Sequence, residues 1–170
     1  MKKLVDANPS RGLLRVLLRM PLLLYGIGLG WLLGQRFLLL KHLGRKTGLE
    51  HRTVLEVLRS DKACDSYIVA SGWGEHSQWF KNIQQRPEVE IEVGGRRMRV
   101  TAMRLSEQQA EQELRDYARR HPRAYRSIGG LFFGEQAVTT AEEFARLAKT
   151  IPVLILRSEK SADVFRRPRI

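Results

Sequence analysis

The spacing of hydrophobic and polar positions changes period several times along this chain, and each change marks an element. Phe37-Leu38-Leu39-Leu40-Lys41-His42-Leu43 is a short apolar run closed by Gly44 and the polar turn Arg45-Lys46-Thr47-Gly48, the pattern of a strand and a turn. Residues 53–59 follow as a second strand, and a loop over residues 60–65 leads to a third over residues 66–71. The β-branched and aromatic content of these two predicts a hairpin. Residues 75–85 have helical spacing, with Trp79 and Ile83 at i and i+4, and Arg86-Pro87 stops them. Val89-Glu90-Ile91-Glu92-Val93 alternates strictly, Gly94-Gly95 turns the chain, and residues 96–104 return as the second arm of a hairpin.

Two helix starts can be read further on. Ser106 with Gln109 has the spacing of a capping box, followed by Ala110, Leu114 and Tyr117 up to a break at His121-Pro122. Thr140 with Glu143 repeats it before Phe144, Leu147 and Ala148, and Val153-Leu154-Ile155-Leu156 reads as a last strand. Six strands with helices between hairpins predict an α+β domain on an antiparallel sheet closed into a barrel.

The N-terminal stretch has a different character. Residues 20–35 are sixteen uncharged positions in a row, short of the ~20 that span a bilayer. Arg11, Arg15 and Arg19 lie upstream at helical spacing with leucines between them. Two readings stand: a helix that covers the core, or an amphipathic helix making peripheral membrane contact through residues 11–35. No small-residue cleavage site follows, so export is not expected. The expected organisation is an N-terminal amphipathic, apolar helix over residues 1–35, a ligand-binding barrel over 36–157 and a basic tail over 158–170.

Composition adds constraints. A hydrophobic fraction of 43% and a charged fraction of 28% over 170 residues suit one globular domain. Net charge is +12, from 30 Lys and Arg against 18 Asp and Glu, which favours anionic partners. Arg96-Arg97-Met98-Arg99 and Arg166-Arg167-Pro168-Arg169 add charge but no recognised nucleic-acid motif, so no specific nucleic acid is expected. The lone Cys64 excludes an internal disulfide, and no Cys/His cluster has the spacing of a metal site, which fits a reducing cytoplasm. His42, His51, His76 and His121 sit near turns or element ends, where solvated side chains are expected.

Chemistry concentrates in two stretches. In Gly44-Arg45-Lys46-Thr47-Gly48 two glycines let the backbone curl around an anion while Arg45, Lys46 and the Thr47 hydroxyl donate to it; the spacing is not that of a P-loop. Ala70-Ser71-Gly72-Trp73-Gly74-Glu75 ends a strand in a glycine-rich loop, with Trp79, Phe80 and Asn82 in the helix beyond. Glycines beside aromatics and an amide suit a planar ring, although Trp79 and Phe80 can equally be core.

Taken in order, these motifs resemble the deazaflavin (F420)-dependent nitroreductase family, whose members carry a GRK(S/T)G turn, an ASxGG-like loop and a W(Y/F)xN helix. The resemblance covers residues 37–125 and includes Asn82-Ile83-Gln84-Gln85-Arg86-Pro87-Glu88-Val89 and the Gly94-Gly95-Arg96-Arg97 hairpin; Gly72 stands where members often have lysine. It implies a six-stranded antiparallel split β-barrel related to the FMN-binding pyridoxamine-oxidase-like fold, and an oxidoreductase that uses coenzyme F420 for hydride transfer to a nitroaromatic, quinone or enone. Arg45, Lys46, Thr47, Gly48 and Arg52 would hold the coenzyme's phosphate and glutamyl tail, and Ser71, Gly72, Trp73, Trp79 and Asn82 would surround its ring. Tyr117 and Tyr125 fall where that family places substrate-facing, catalytic tyrosines. FMN or haem on the same barrel is the alternative. A small-molecule substrate, a homodimer and a cytoplasmic location, at the inner face of the membrane if the N-terminal helix touches it, complete the expectation.

Overall fold

A computed structural model of the chain describes residues 25, 30–126 and 140–158. The expected N-terminal helix, apart from residues 25 and 30–35, and the basic tail beyond Ser158 lie outside the described residues.

Six strands form a closed antiparallel barrel: β1 (Phe37–Leu43), β2 (Glu50–Asp61), β3 (Ser66–Ala70), β4 (Glu88–Val93), β5 (Arg96–Arg104) and β6 (Val153–Ser158). Their order around it is β1-β2-β3-β6-β5-β4. Among the described residues three helices with both ends in view accompany them, α1 (Gln78–Gln85), α2 (Glu107–Arg120) and α3 (Ala141–Thr150), with shorter 3-10 turns at Gly30–Leu33 and Gly74–His76. The expected α+β barrel is therefore the fold, and both capping boxes are present, Ser106 with Gln109 and Thr140 with Glu143.

Two apolar clusters divide the strand faces. Leu38, Leu40, Val57, Tyr67, Val69, Val89, Ile91, Val93, Val100, Leu154 and Leu156 pack together with Trp79, Phe80 and Ile83 of α1. Leu58, Ile68, Val153 and Ile155 join Ala110, Leu114 and Tyr117 of α2 and Phe144, Leu147 and Ala148 of α3 in a second cluster. Because successive side chains leave a strand on opposite faces, β3 and β6, covered on both, are buried at almost every position and β4, covered on one face, alternates. The same alternation along β2 sends Leu55 and Val57 to the first cluster and Leu58 to the second, with a register shift against β3 between Val57 and Arg59.

The structure extends several expected elements. β2 starts at Glu50 rather than residue 53, because the tight turn closed by Gly44 N–H to Leu49 O at 2.8 Å brings Glu50 opposite Leu43. At its other end β2 runs to Asp61, opposite Ser66. The helix expected over residues 75–85 is two pieces, a 3-10 turn and α1, separated at Ser77, whose ψ of 130° is extended. The chain also resumes helical structure over residues 122–126 after the break at His121.

Candidate functional site

The β1–β2 turn, the loop after β3 and the start of α1 together line a cleft of about 730 Å³, within the range of roughly 300–1,000 Å³ usual for small-molecule sites. The turn is narrow. Gly48 N–H donates to Gly44 O at 2.7 Å, and Gly48 has φ of +68°, a backbone that favours glycine. A Cβ on Gly44 would lie 2.6 Å from Thr47 Oγ1 and 2.9 Å from His51 Nε2, so a larger residue would have to displace those two side chains. Thr47 Oγ1 accepts from Leu49 N–H at 3.3 Å, which leaves its own proton able to donate outward.

Arg45 is held from α1. Its backbone N–H and its Nη1 both donate to Asn82 Oδ1, at 3.1 and 3.2 Å, and Nη1 also donates to Gln78 Oε1 at 2.9 Å. Both partners are neutral amides, so the guanidinium is oriented without being neutralised. Lys46 is exposed and has no carboxylate partner among the described residues. Arg52 differs, because its Nε has a carboxylate partner, Glu50, at 3.0 Å in an exposed pair. No carboxylate is among the described residues that line the cleft. The net field there is positive and is set by Arg45 and Lys46.

The opposite wall is aromatic. Trp73 lines the cleft and is 63% exposed, while Trp79, 7% exposed, lines it with one part and packs into the barrel cluster with the rest, edge-on to Phe80 at 6.1 Å. Ser71 is fully buried; its Oγ lies 2.7 Å from Gly74 O and 2.7 Å from Ser77 Oγ. Ser71 thus closes the loop from beneath and does not line the cleft, and half-buried Gly72 sits between it and Trp73.

The tyrosines have another setting. Tyr117 and Tyr125 are buried in the second cluster, and neither lines the cleft. Tyr117 donates to Glu56 Oε1 at 2.6 Å, and burial first, then that bond, raises its pKa above the ordinary phenol value. Tyr125 packs against Phe144 with ring centroids 5.8 Å apart; its hydroxyl has no hydrogen-bond partner among the described residues, and burial, with Glu143 second, pushes its pKa up to about 12. The structure therefore brings Arg45, Lys46, Thr47, Arg52, Trp73, Trp79 and Asn82 to one cleft, and sets Ser71 behind it and the two tyrosines elsewhere.

Sequence reasoning overlooked His42, Gln78 and Thr53, which also line the cleft. His42 is only 5% exposed, against the expectation of a solvated side chain. Its parity was the available signal: Leu38, Leu40 and His42 share one face of β1, and the two leucines are fully buried. Burial, and then His51 stacked on it at 5.7 Å, lower its pKa below the ordinary histidine value.

A closed antiparallel barrel of the split-barrel type thus carries a cationic, aromatic-walled cleft at one strand turn. Residues 25–129 match the sequence model of the F420H(2)-dependent quinone reductase family. The chain belongs to that family; it is an F420-dependent oxidoreductase, with coenzyme F420 as its cofactor. No curated protein sequence matches it. Among solved structures it is similar to an F420-H2 dependent reductase (FDR-A), at 18% identity over 72% of this chain and 95% of that one, with TM-score 0.49. A protein of Agrobacterium tumefaciens str. C58 is 11% identical over 76% of this chain and 51% of that one, with TM-score 0.50. A putative pyridoxamine 5′-phosphate oxidase from Listeria innocua is 12% identical over 80% and 94%, with TM-score 0.47. Among the described residues no helix is long and apolar enough to cross a membrane.

Proposed function

We propose that this chain holds coenzyme F420 in the cleft between the β1–β2 turn and α1, and that it reduces a small organic acceptor such as a quinone, a nitroaromatic or an enone. The observation that carries this reading is the charge pattern of the cleft: Arg45 is oriented by neutral amides, Lys46 has no carboxylate partner among the described residues, and no acid lines the walls. Such a cleft suits a ligand with a phosphate and glutamyl carboxylates at one end. The exposed Trp73 and the cleft edge of Trp79 suit a flat ring at the other. When bound, the reduced coenzyme supplies the hydride.

The chain's own part is binding and orientation. Arg45 and Lys46 fix the anionic end, and Thr47 adds a hydroxyl donor to the same turn. Trp73 and Trp79 exclude water from one side of the ring and limit its orientations, which is where a two-ring hydride transfer gains rate. Asn82 spends both lone pairs of its oxygen on Arg45 and so acts through that arginine.

A fluorescence titration of the purified protein with oxidised F420, in parallel with FMN, tests the reading. Saturable quenching by F420 is expected. Arg45→Ala and Lys46→Ala should each weaken it about tenfold or more, the value of a lost charge-assisted hydrogen bond. Tight binding of FMN alone, or F420 binding indifferent to both substitutions, would sink it.

A further inference from the structure

The buried polar chain behind Arg45 has one consistent proton arrangement. Asn82 Oδ1 faces two donors, the backbone N–H and Nη1 of Arg45, at 3.1 and 3.2 Å. Its Nδ2 amide therefore points the other way, to His42 Nδ1 at 3.1 Å. That ring nitrogen must carry a lone pair, so the proton of the neutral imidazole sits on Nε2 and is directed to Thr53 Oγ1 at 3.3 Å. His42 and Asn82 are each only 5% exposed, so water does not readily replace either bond.

A second proton on His42 would break this order. An N–H at Nδ1 would face the Asn82 amide hydrogens, donor against donor. Turning the amide over relieves that contact and places the same hydrogens against the two donors of Arg45. With the amide turned over the arginine loses its fixed acceptor, while Gln78 still holds one of its nitrogens.

We propose that His42 is a positioning residue for ligand binding: its neutral Nδ1 sets the Asn82 amide, the amide sets Arg45, and protonation of His42 loosens Arg45 and weakens binding in the cleft. The proposal rests on the reading that Arg45 contacts the anionic coenzyme.

The charged and titratable groups around His42 do not offset a second proton. His51 of β2, opposite it in register, stacks on its ring, and Arg45 lies beyond Asn82. Lys41 next to it is paired with Glu90 of β4, and Arg52 of β2 with Glu50. From α1 it meets the neutral amide of Asn82. Burial, and then His51, correspondingly lower the His42 pKa below the ordinary histidine value. The sign of the effect is diagnostic: a histidine beside an anion site ordinarily strengthens anion binding as pH falls, whereas this chain predicts weakening.

The test is F420 affinity, by fluorescence quenching, from about pH 5 to 8, the range in which histidine titrates. Wild type is compared with His42→Phe, which removes the acceptor, His42→Asn, which returns a non-titrating carbonyl near the Nδ1 position, and His51→Gln. His42→Phe should bind about tenfold more weakly at neutral pH, as for a lost hydrogen bond to an oriented cation, and His42→Asn should recover most of that loss. Wild type should lose affinity towards acid, His51→Gln should keep that loss, and His42→Asn should lack it. Parallel profiles for wild type and His42→Asn would overturn the proposal, since the coenzyme's own titration is common to both. The imidazole nitrogen shifts of wild type supply a readout without coenzyme: protonation at Nε2 alone is expected, and a proton on Nδ1 at neutral pH would also overturn it. If Arg45→Ala leaves F420 affinity unchanged, the site reading fails, and the nitrogen shifts still decide the His42–Asn82 arrangement.

Discussion

Ser71 and Arg45 make opposite uses of a short polar side chain network. The Ser71 hydroxyl donates to Gly74 O, and the Ser77 hydroxyl can then donate to it, so both polar neighbours of the loop are satisfied without water. Ser71→Ala should leave a buried carbonyl and a buried hydroxyl with one partner fewer, costing about 1–3 kcal/mol of stability. Urea unfolding would read that loss. A ring-contacting role would instead lower F420 affinity with the unfolding midpoint unchanged. Arg45, by contrast, sits at the cleft with its charge intact, and its loss should register in affinity. Residue type alone did not separate these roles. A serine at a strand end beside glycine is compatible with donating to a ligand or to its own loop, and only the contacts of Gly74 and Ser77 decide it.

At the scale of elements, α1 carries the site because one face of it is core. Trp79, Phe80 and Ile83 are buried in the barrel cluster, and that anchoring presents Gln78 and Asn82 to the β1–β2 turn. Ile83→Ala should cost about 2–5 kcal/mol, the usual range for such a truncation. It should also weaken F420 binding, because a loosened helix no longer fixes Arg45. A variant that loses stability but binds with unchanged affinity would show that the turn holds Arg45 without α1. Much of this scale was legible. The alternation of β4 and the Gly94-Gly95 turn follow from one covered face, and the capping boxes gave both later helix starts. What could not be read were distances between elements. The GRKTG turn and the Trp79 helix were assigned to one ligand through a family resemblance, whereas their contact, Arg45 to Asn82, is 37 residues apart in sequence.

Across the whole molecule, the barrel has one cluster that includes α1 and another beneath α2 and α3, and the cleft residues and the tyrosines divide between those two regions. Tyr117 belongs to the second, where its hydroxyl ties α2 to Glu56 of β2, a carboxylate that also meets Arg36 Nε at 3.4 Å. Tyr117→Phe keeps the ring and removes this tie. The expected loss is about 1–3 kcal/mol, since the acceptor is charged and little exposed. A pH signature goes with it. The folded-state pKa of Tyr117 is raised, so between the unfolded value of about 10 and the folded one the unfolded chain has lost a proton that the native state keeps. The stabilisation is complete below about pH 10 and is lost as pH rises through that window. Alkaline unfolding should therefore be less steep in Tyr117→Phe than in wild type. Turnover of reduced F420 with a quinone at neutral pH should stay within about twofold of wild type, less than the energy of one hydrogen bond. A loss of kcat beyond about tenfold with native stability would instead place the Tyr117 hydroxyl in the reaction, and would require the second cluster to open towards the acceptor during turnover.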